Sequence, residues 1–239
     1  MTSRSSPSPS PSPGPSAPDE YLIEGLDVSQ YQTDGSIDWQ AGHDAGFVFV
    51  MIRSGYGSRP DPLTITHIQK ARAAGWTVGL YHFVTEAPIE AQWQNLLAQS
   101  KLAGIGPGDV GPMFDLEWLD GKGKMPADIP GYLAIVRELL ARSIATWGKA
   151  WIYTAPGFWQ SVGSPKEWLA WPWMIAKWGT HPPSDNPLRW AAWQAGSFTP
   201  AWSRGALDHD KARELPIIPS PIVSGEDDSD PDSSDSEAA

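Results

Sequence analysis

The chain contains no cysteine. This absence excludes disulfides and thiolate metal sites, but it leaves the redox compartment open because a cysteine-free protein tolerates either environment. No apolar run approaches the length that a membrane-spanning helix needs. Residues 1–20 are polar and lack the hydrophobic segment of a secretory signal. We therefore predict neither membrane insertion nor a signal peptide.

Positive charge is also scarce. The chain has 17 Lys and Arg residues but 28 Asp and Glu residues, so its net charge is −11. Seven of the acids lie between Ser220 and the last residue, a segment with no Lys or Arg. Removing these seven leaves a net charge of −4, so the rest of the chain is only mildly acidic. A chain without a basic surface is a poor candidate for nucleic-acid binding.

Two segments lack the apolar residues that a packed core requires. Residues 1–20 are Ser/Pro low complexity, and residues 220–239 are acidic and rich in serine. We predict that both are disordered tails. Residues 21–219 remain, and their length suits one domain within the range of a single β/α barrel.

Strand and helix patterns alternate along these residues, which predicts a parallel α/β barrel. Strands are predicted at 21–28, 46–53, 77–84, 109–117 and 149–154, and helical segments at 37–45, 63–74, 88–102, 127–146 and 156–159. Three further strands, at 173–177, 188–194 and 205–208, are separated by loops too short for full helices. The first five strands therefore carry helical connections, and the last three do not.

The fourth strand ends in two carboxylates, Asp115 and Glu117. Side chains alternate along a strand, so both would share one face at a separation of roughly 6–7 Å. Two like charges at this distance raise the proton affinity of at least one. Such a pair can supply the acid that glycoside hydrolysis requires. The alternative is a solvated strand end with two incidental acids.

Two other acids, Asp27 and Asp208, fall at the ends of the first and eighth predicted strands. Functional residues of β/α barrels lie at the carboxyl ends of the strands, so four acids would line one mouth. Asp27 alone could instead form an Asx turn or a helix cap. His82, on the third strand, is more typical of a hydrogen-bonded core residue than of a catalyst, and no other histidine stands at metal-ligand spacing.

The sequence resembles the family 25 glycoside hydrolases, or Chalaropsis-type lysozymes, from about Glu24 to Asp210. The matching segments are GLDVSQYQ at 25–32, GWTVGLYHF at 75–83, FDLE at 114–117, IYT at 152–154, FW at 158–159 and WQ at 193–194. The resemblance implies a modified (β/α)5(β)3 barrel, which agrees with the missing helices after the fifth strand. It also implies cleavage of the β-1,4 bond between N-acetylmuramic acid and N-acetylglucosamine, with no cofactor and no metal.

Carried over by motif, Glu117 looks like the general acid/base. Asp115 looks like its partner, either as nucleophile or as the group that orients the substrate's N-acetyl carbonyl for attack. Asp27 and Asp208 look like supporting acids, with Asp210 as the alternative for the last of them.

Four other residues are candidates for the site, either through the same resemblance or through their position. Tyr81, Tyr153 and Trp193 fit the lining of a sugar-binding groove. Arg53, at the end of the second strand, is a candidate ion-pair partner for the carboxylates. The family often has a different basic residue at that position.

The resemblance implies bacterial peptidoglycan as the partner, and we expect a monomer. Without a signal peptide or wall-binding repeat, the chain resembles a phage endolysin that reaches the wall from the host cytoplasm. A bacterial enzyme exported by another route is the alternative. The alternative functions are a catalytically silent wall-binding module on the same barrel and a glycosidase acting on chitin.

Overall fold

The computed structural model describes residues 22–181, 183 and 190–221. Its core is a closed barrel of eight strands, which we number β1 (Ile23–Val28), β2 (Phe49–Tyr56), β3 (Thr77–Phe83), β4 (Val110–Leu116), β5 (Trp151–Thr154), β6 (Trp173–Ala176), β7 (Trp190–Phe198) and β8 (Leu207–Ala212). A two-residue strand, Arg59–Pro60, pairs antiparallel with the end of β2. Several predicted residues lie outside the described ones: the tail at 1–20, residue 21 of the first strand, residues 188 and 189 of the seventh strand, and residues 222–239 of the acidic tail.

Each barrel strand pairs with its neighbour in the chain, and β8 closes the barrel against β1. The pairings from β1 to β7 are parallel, whereas β8 runs antiparallel to both β7 and β1. The prediction of a parallel barrel is therefore wrong for its last strand. Only residues 199–206 connect β7 to β8, and a parallel crossover needs about a dozen residues or more.

The predicted helices are present, and they are α1 (Trp39–Asp44), α2 (Thr64–Ala73), α3 (Ile89–Ala103), α4 (Ile129–Trp147) and α5 (Pro156–Ser161). A 3₁₀ helix, Lys166–Ala170, follows α5. The modified (β/α)5(β)3 barrel is thereby confirmed. Within the described ranges, no helix has both the length and the apolar character needed to cross a membrane.

Local chemistry explains where the helices begin and end. Asp38 and Asp128 cap α1 and α4, because their carboxylates accept backbone N–H bonds at 3.0 Å from the first turn of each helix. Gly75 follows α2 with φ +87, and Gly104 ends α3 with φ +62. Glycine occupies this left-handed region without steric cost, so both positions end their helices cleanly.

Alternate strand residues separate into two apolar layers. On β2, Phe49 and Met51 belong to the cluster inside the barrel, whereas Val50 and Ile52 belong to the cluster between strands and helices. Large side chains such as Phe49 and Met51 fit inside because glycines lie beside them. Gly25, directly across from Phe49, is the clearest case, since a Cβ there would lie 2.2–2.4 Å from the Phe49 ring.

We predict that Gly25→Ala lowers the free energy of unfolding by about 1–3 kcal/mol, because the Phe49 ring is fully buried and has no space to move. Urea denaturation measures this loss. Gly106→Ala is the matched control, since a Cβ at that position meets no atom within 4 Å, and its effect should stay within about 0.5 kcal/mol. Equal midpoints for wild type and Gly25→Ala would contradict the described interior packing.

Candidate active site

A cavity of about 490 Å³ opens at the end of the barrel where β1 to β7 finish. The four acids singled out in the sequence, Asp27, Asp115, Glu117 and Asp208, all contribute to its lining. Asp115 is 5% exposed, whereas the other three are half-buried. The cavity therefore combines a partly desolvated acid cluster with an opening through which a chain-like ligand can enter.

Strand register brings the acids together. Asp115 is the sixth residue of β4, and Glu117 follows the end of that strand by one residue. Asp27 lies near the end of β1 and pairs in register with Asp208, near the start of β8. Because β8 is antiparallel, Asp208 reaches the mouth from the amino end of its strand and not from the carboxyl end expected from the sequence.

Gln194 of β7 connects three groups around the cavity. Its Nε2 atom donates to Asp27 Oδ2 at 2.8 Å, and its Oε1 atom accepts from the Tyr153 hydroxyl at 3.0 Å. The Trp178 indole donates to the same oxygen at 3.1 Å. These bonds fix the orientation of the Asp27 carboxylate and of the Tyr153 ring. The sequence motif contained Gln194, but residue reasoning assigned it no role.

The environment keeps protons on the carboxylates. Burial, with help from the Asp208 charge, raises the pKa of Glu117 to about 7. Burial and the Asp208 charge also raise the pKa of Asp27 to about 8, while the Gln194 bond opposes this shift. Burial and the Glu117 charge raise the pKa of Asp115 well above its ordinary value. At neutral pH the cluster therefore retains protons that isolated carboxylates would lose.

The sequence left open whether the last acid of the site is Asp208 or Asp210. The structure separates the two by their positions. Asp208 lines the cavity. Asp210 lies two residues further along β8, is fully buried, and pairs in register with Gly25 and Gln194. Neither Asp210 carboxylate oxygen has a hydrogen-bond partner among the described residues. Burial and the charges of Asp27 and Asp208 raise the pKa of Asp210 well above its ordinary value. Asp208 is thus the acid that a ligand can reach.

Arg53 lines the same cavity, but its ion-pair partner is Asp61. The Arg53 Nε atom lies 2.8 Å from Asp61 Oδ2, and the side chains are 11% and 1% exposed. The same Asp61 oxygen accepts the Gln30 N–H at 2.9 Å. Arg53 therefore fixes the loop after β1, while its charge only partly offsets those of Asp27 and Asp115.

Of the three predicted groove aromatics, the structure brings Tyr81 and Tyr153 to the cavity and places Trp193 elsewhere. Trp193 is 2% exposed, packs in the layer between strands and helices, and donates its indole N–H to the Lys177 carbonyl at 2.6 Å. Adjacent strand residues face opposite sides. Gln194, one position later, therefore faces the cavity in its place.

His82 is fully buried behind the cavity, where its Nδ1 atom lies 3.2 Å from the Ser54 hydroxyl. Burial lowers its pKa to about 4, so the ring is neutral at physiological pH. Across the part of the chain that the structure describes, no three His, Asp or Glu residues are grouped as metal ligands.

An α/β barrel with half-buried carboxylates at its mouth is an arrangement typical of glycoside hydrolases. The model of the glycosyl hydrolases family 25 matches residues 26–200, a span that includes Asp27, Asp115 and Glu117 and ends before Asp208. The chain belongs to this family and is a glycoside hydrolase. No curated protein sequence matches it significantly.

Solved structures show the same fold. The bacterial lysozyme from Streptomyces coelicolor is 26% identical, with 82% of this chain and 94% of that chain covered and a TM-score of 0.69. A family 25 glycosyl hydrolase from Bacillus anthracis is 20% identical, with 83% and 92% covered and a TM-score of 0.69. The catalytic domain of endolysin ply40, from a Listeria monocytogenes bacteriophage, is 17% identical, with 82% and 95% covered and a TM-score of 0.64.

Buried Asp210 should make stability depend on pH. Its pKa is raised in the folded protein and about 3.9 in the unfolded chain. Its contribution is therefore fully present below about pH 4 and is lost as the pH rises toward the folded-state pKa. We predict that Asp210→Asn removes this decline, which amounts to at most about 1.4 kcal/mol per pH unit and begins above about pH 4. Urea unfolding of both proteins at a series of pH values upward from about pH 4 tests this prediction. If the stability of both proteins changes with pH in the same way, Asp210 is not protonated in the folded protein.

Proposed function

We propose that this chain is a muramidase that hydrolyses the β-1,4 bond between N-acetylmuramic acid and N-acetylglucosamine in bacterial peptidoglycan. One observation carries the proposal: Glu117 lies half-buried at the mouth with a pKa of about 7, directly beyond the strand that holds Asp115. Membership of the family supports it, as does the likeness to a bacterial lysozyme.

Glu117 acts first as a general acid. Its protonated carboxyl group transfers a proton to the glycosidic oxygen as the bond to the anomeric carbon breaks, and positive charge develops on the sugar ring. The resulting carboxylate then removes a proton from the attacking water. A pKa near the working pH favours both steps, because the group must be protonated in one and ionised in the other.

Asp115 is the partner acid, buried beside Glu117. Once it has lost its proton, it serves in one of two ways. It attacks the anomeric carbon itself, or it holds the N–H of the 2-acetamido group so that the acetamido carbonyl oxygen attacks. Asp115 is in register with Tyr153 of β5, and the Tyr153 side chain lines the same cavity.

Asp27 and Asp208 support the reaction from the same cavity, which both side chains line. In its ionised form, either carboxylate stabilises the positive charge that develops on the sugar. Asp208 also keeps the proton on Glu117, since its charge raises the pKa of that group. Tyr81 and Tyr153 provide the aromatic surface of the groove.

The site of action that fits this chemistry is the bacterial cell wall. We propose that the protein acts there as a monomer, in the manner of an endolysin or of an exported bacterial enzyme. It needs no nucleic-acid partner and no insertion into a membrane.

Glu117→Gln should lower peptidoglycan cleavage by at least about 10²-fold, because the amide cannot donate the proton. Mass analysis of digests should show muropeptides with new N-acetylmuramic acid reducing ends for wild type only. Glu138→Gln, an exposed change on α4, should leave activity unchanged. A folded wild type that binds walls without cleaving them would instead indicate a silent binding module.

Asp208→Asn should change the pH profile. Removal of the Asp208 charge lowers the pKa of Glu117, so Glu117 loses its proton at lower pH. We predict that the alkaline limb of kcat/KM, near pH 7 in wild type, moves to lower pH in the variant. Initial rates on soluble peptidoglycan fragments between pH 4 and 9 measure this shift. A shift toward higher pH would show that Asp208 does not act on Glu117 through its charge.

A further inference from the structure

Two of the residues that line the cavity, Arg53 and Arg59, carry positive charge. Arg53 is held by Asp61, as described above. Arg59 is exposed, and no carboxylate among the described residues forms an ion pair with it. Arg59 thus presents to the cavity a guanidinium group that no described carboxylate neutralises through an ion pair.

The backbone that carries Arg59 is firmly held. Arg59 and Pro60 pair with Tyr56 and Gly55 of β2 in a short hairpin. Gly57, at its turn, has φ +56, donates its N–H to the Phe83 carbonyl at 2.9 Å, and accepts from Asn95 Nδ2 at 3.1 Å.

The Arg59 side chain also has a fixed support. Its guanidinium carbon lies 5.2 Å from the centroid of the Tyr56 ring. The Tyr56 ring stacks on Phe83 at 4.4 Å with 22° between the planes, and its hydroxyl donates to the Leu119 carbonyl. A guanidinium placed on an aromatic face keeps its N–H donors free at the edge, where a ligand can accept them.

The proposed substrate supplies the matching acceptor. Each N-acetylmuramic acid carries a lactyl carboxyl group, which is free in bare glycan and amide-linked in intact peptidoglycan, where the attached peptide adds its own carboxylates. The rest of the cavity offers such an anion little, since Arg53 is paired with Asp61 and five acids also line it: Asp27, Asp115, Glu117, Asp120 and Asp208. A planar guanidinium binds a carboxylate through two parallel hydrogen bonds.

We propose that Arg59 binds a carboxylate of the muramyl side chain, either the lactyl group or the attached peptide, and thereby selects muramyl glycans over neutral glycans. This inference rests on the muramidase function proposed above. It assigns the hairpin after β2 to substrate recognition, with Tyr56 as the platform on which the guanidinium is positioned.

Three substrates separate the possibilities: intact soluble peptidoglycan, glycan strands freed of peptide by an amidase, and the same strands with their lactyl carboxylates converted to amides. For Arg59→Gln we expect KM on an anionic substrate to rise roughly 10-fold or more, with kcat little changed, because a hydrogen bond to a charged group is lost. On the amidated strands, wild type and variant should be equal. Arg137→Gln, an exposed change on α4, is the matched control and should resemble wild type throughout.

The pattern across substrates identifies the carboxylate. An effect on peptide-free strands identifies the lactyl group, and an effect on intact peptidoglycan alone identifies the peptide. Equal losses on charged and amidated strands would overturn the proposal, because they would indicate a structural role, and so would an unchanged KM on both anionic substrates. If wild type cleaves none of the three, the muramidase function fails and this inference fails with it.

Discussion

The chemistry of this protein depends on a group of carboxylates that are partly shielded from water and are not paired with any cation that the structure describes. Asp27, Asp115 and Glu117 face one cavity, and Arg53, which reaches the same cavity, is committed to Asp61. Had Arg53 paired with Asp115 or Glu117, that acid would have lost its proton well below neutral pH. The ion pair between Arg53 and Asp61 therefore has a second role, because it leaves the acid cluster incompletely neutralised while it fixes the loop after β1.

The packed interior of the barrel lies directly beneath these acids. Large side chains such as Phe49 and Met51 fill it, and Gly25 and Gly79 leave space beside them. Because this packing is dense, the carboxyl ends of the strands have little freedom to move. Gln194 then links Asp27 to Tyr153 across the mouth. Asp27, Asp115 and Gln194 are thus positioned by barrel strands, and Glu117 follows directly after β4.

Much of the fold could be predicted because the strands are continuous apolar runs and the helices have clear ends. The FDLE segment placed Asp115 and Glu117 on one strand end by alternation alone, and the structure has them there. The short sequence pattern of β8 does not indicate the direction of the strand. The direction follows from the connection between β7 and β8, which is too short for a parallel crossover.

Two site assignments depended on information that lies outside any local pattern. Trp193 and Gln194 are adjacent, and the choice of which one faces the cavity is a matter of strand register by a single residue. The pairing of Arg53 depended on Asp61, an acid in a loop without a distinctive motif. No sequence pattern predicted the hairpin that carries Arg59 or the contact between the Arg59 guanidinium and the Tyr56 ring. Both depend on a two-residue pairing that forms only in the folded protein.

The antiparallel closure also bears on the order in which the protein is made. Asp27 lies on the first strand and Asp208 on the last, and their pairing closes the barrel. A chain emerging from the ribosome can form its early strands and helices, but β1 has no partner on its β8 side until the last strand is released. The acid cluster is therefore incomplete on every nascent chain. A hydrolase built in this way is assembled as an active unit only after nearly all of its barrel has been translated.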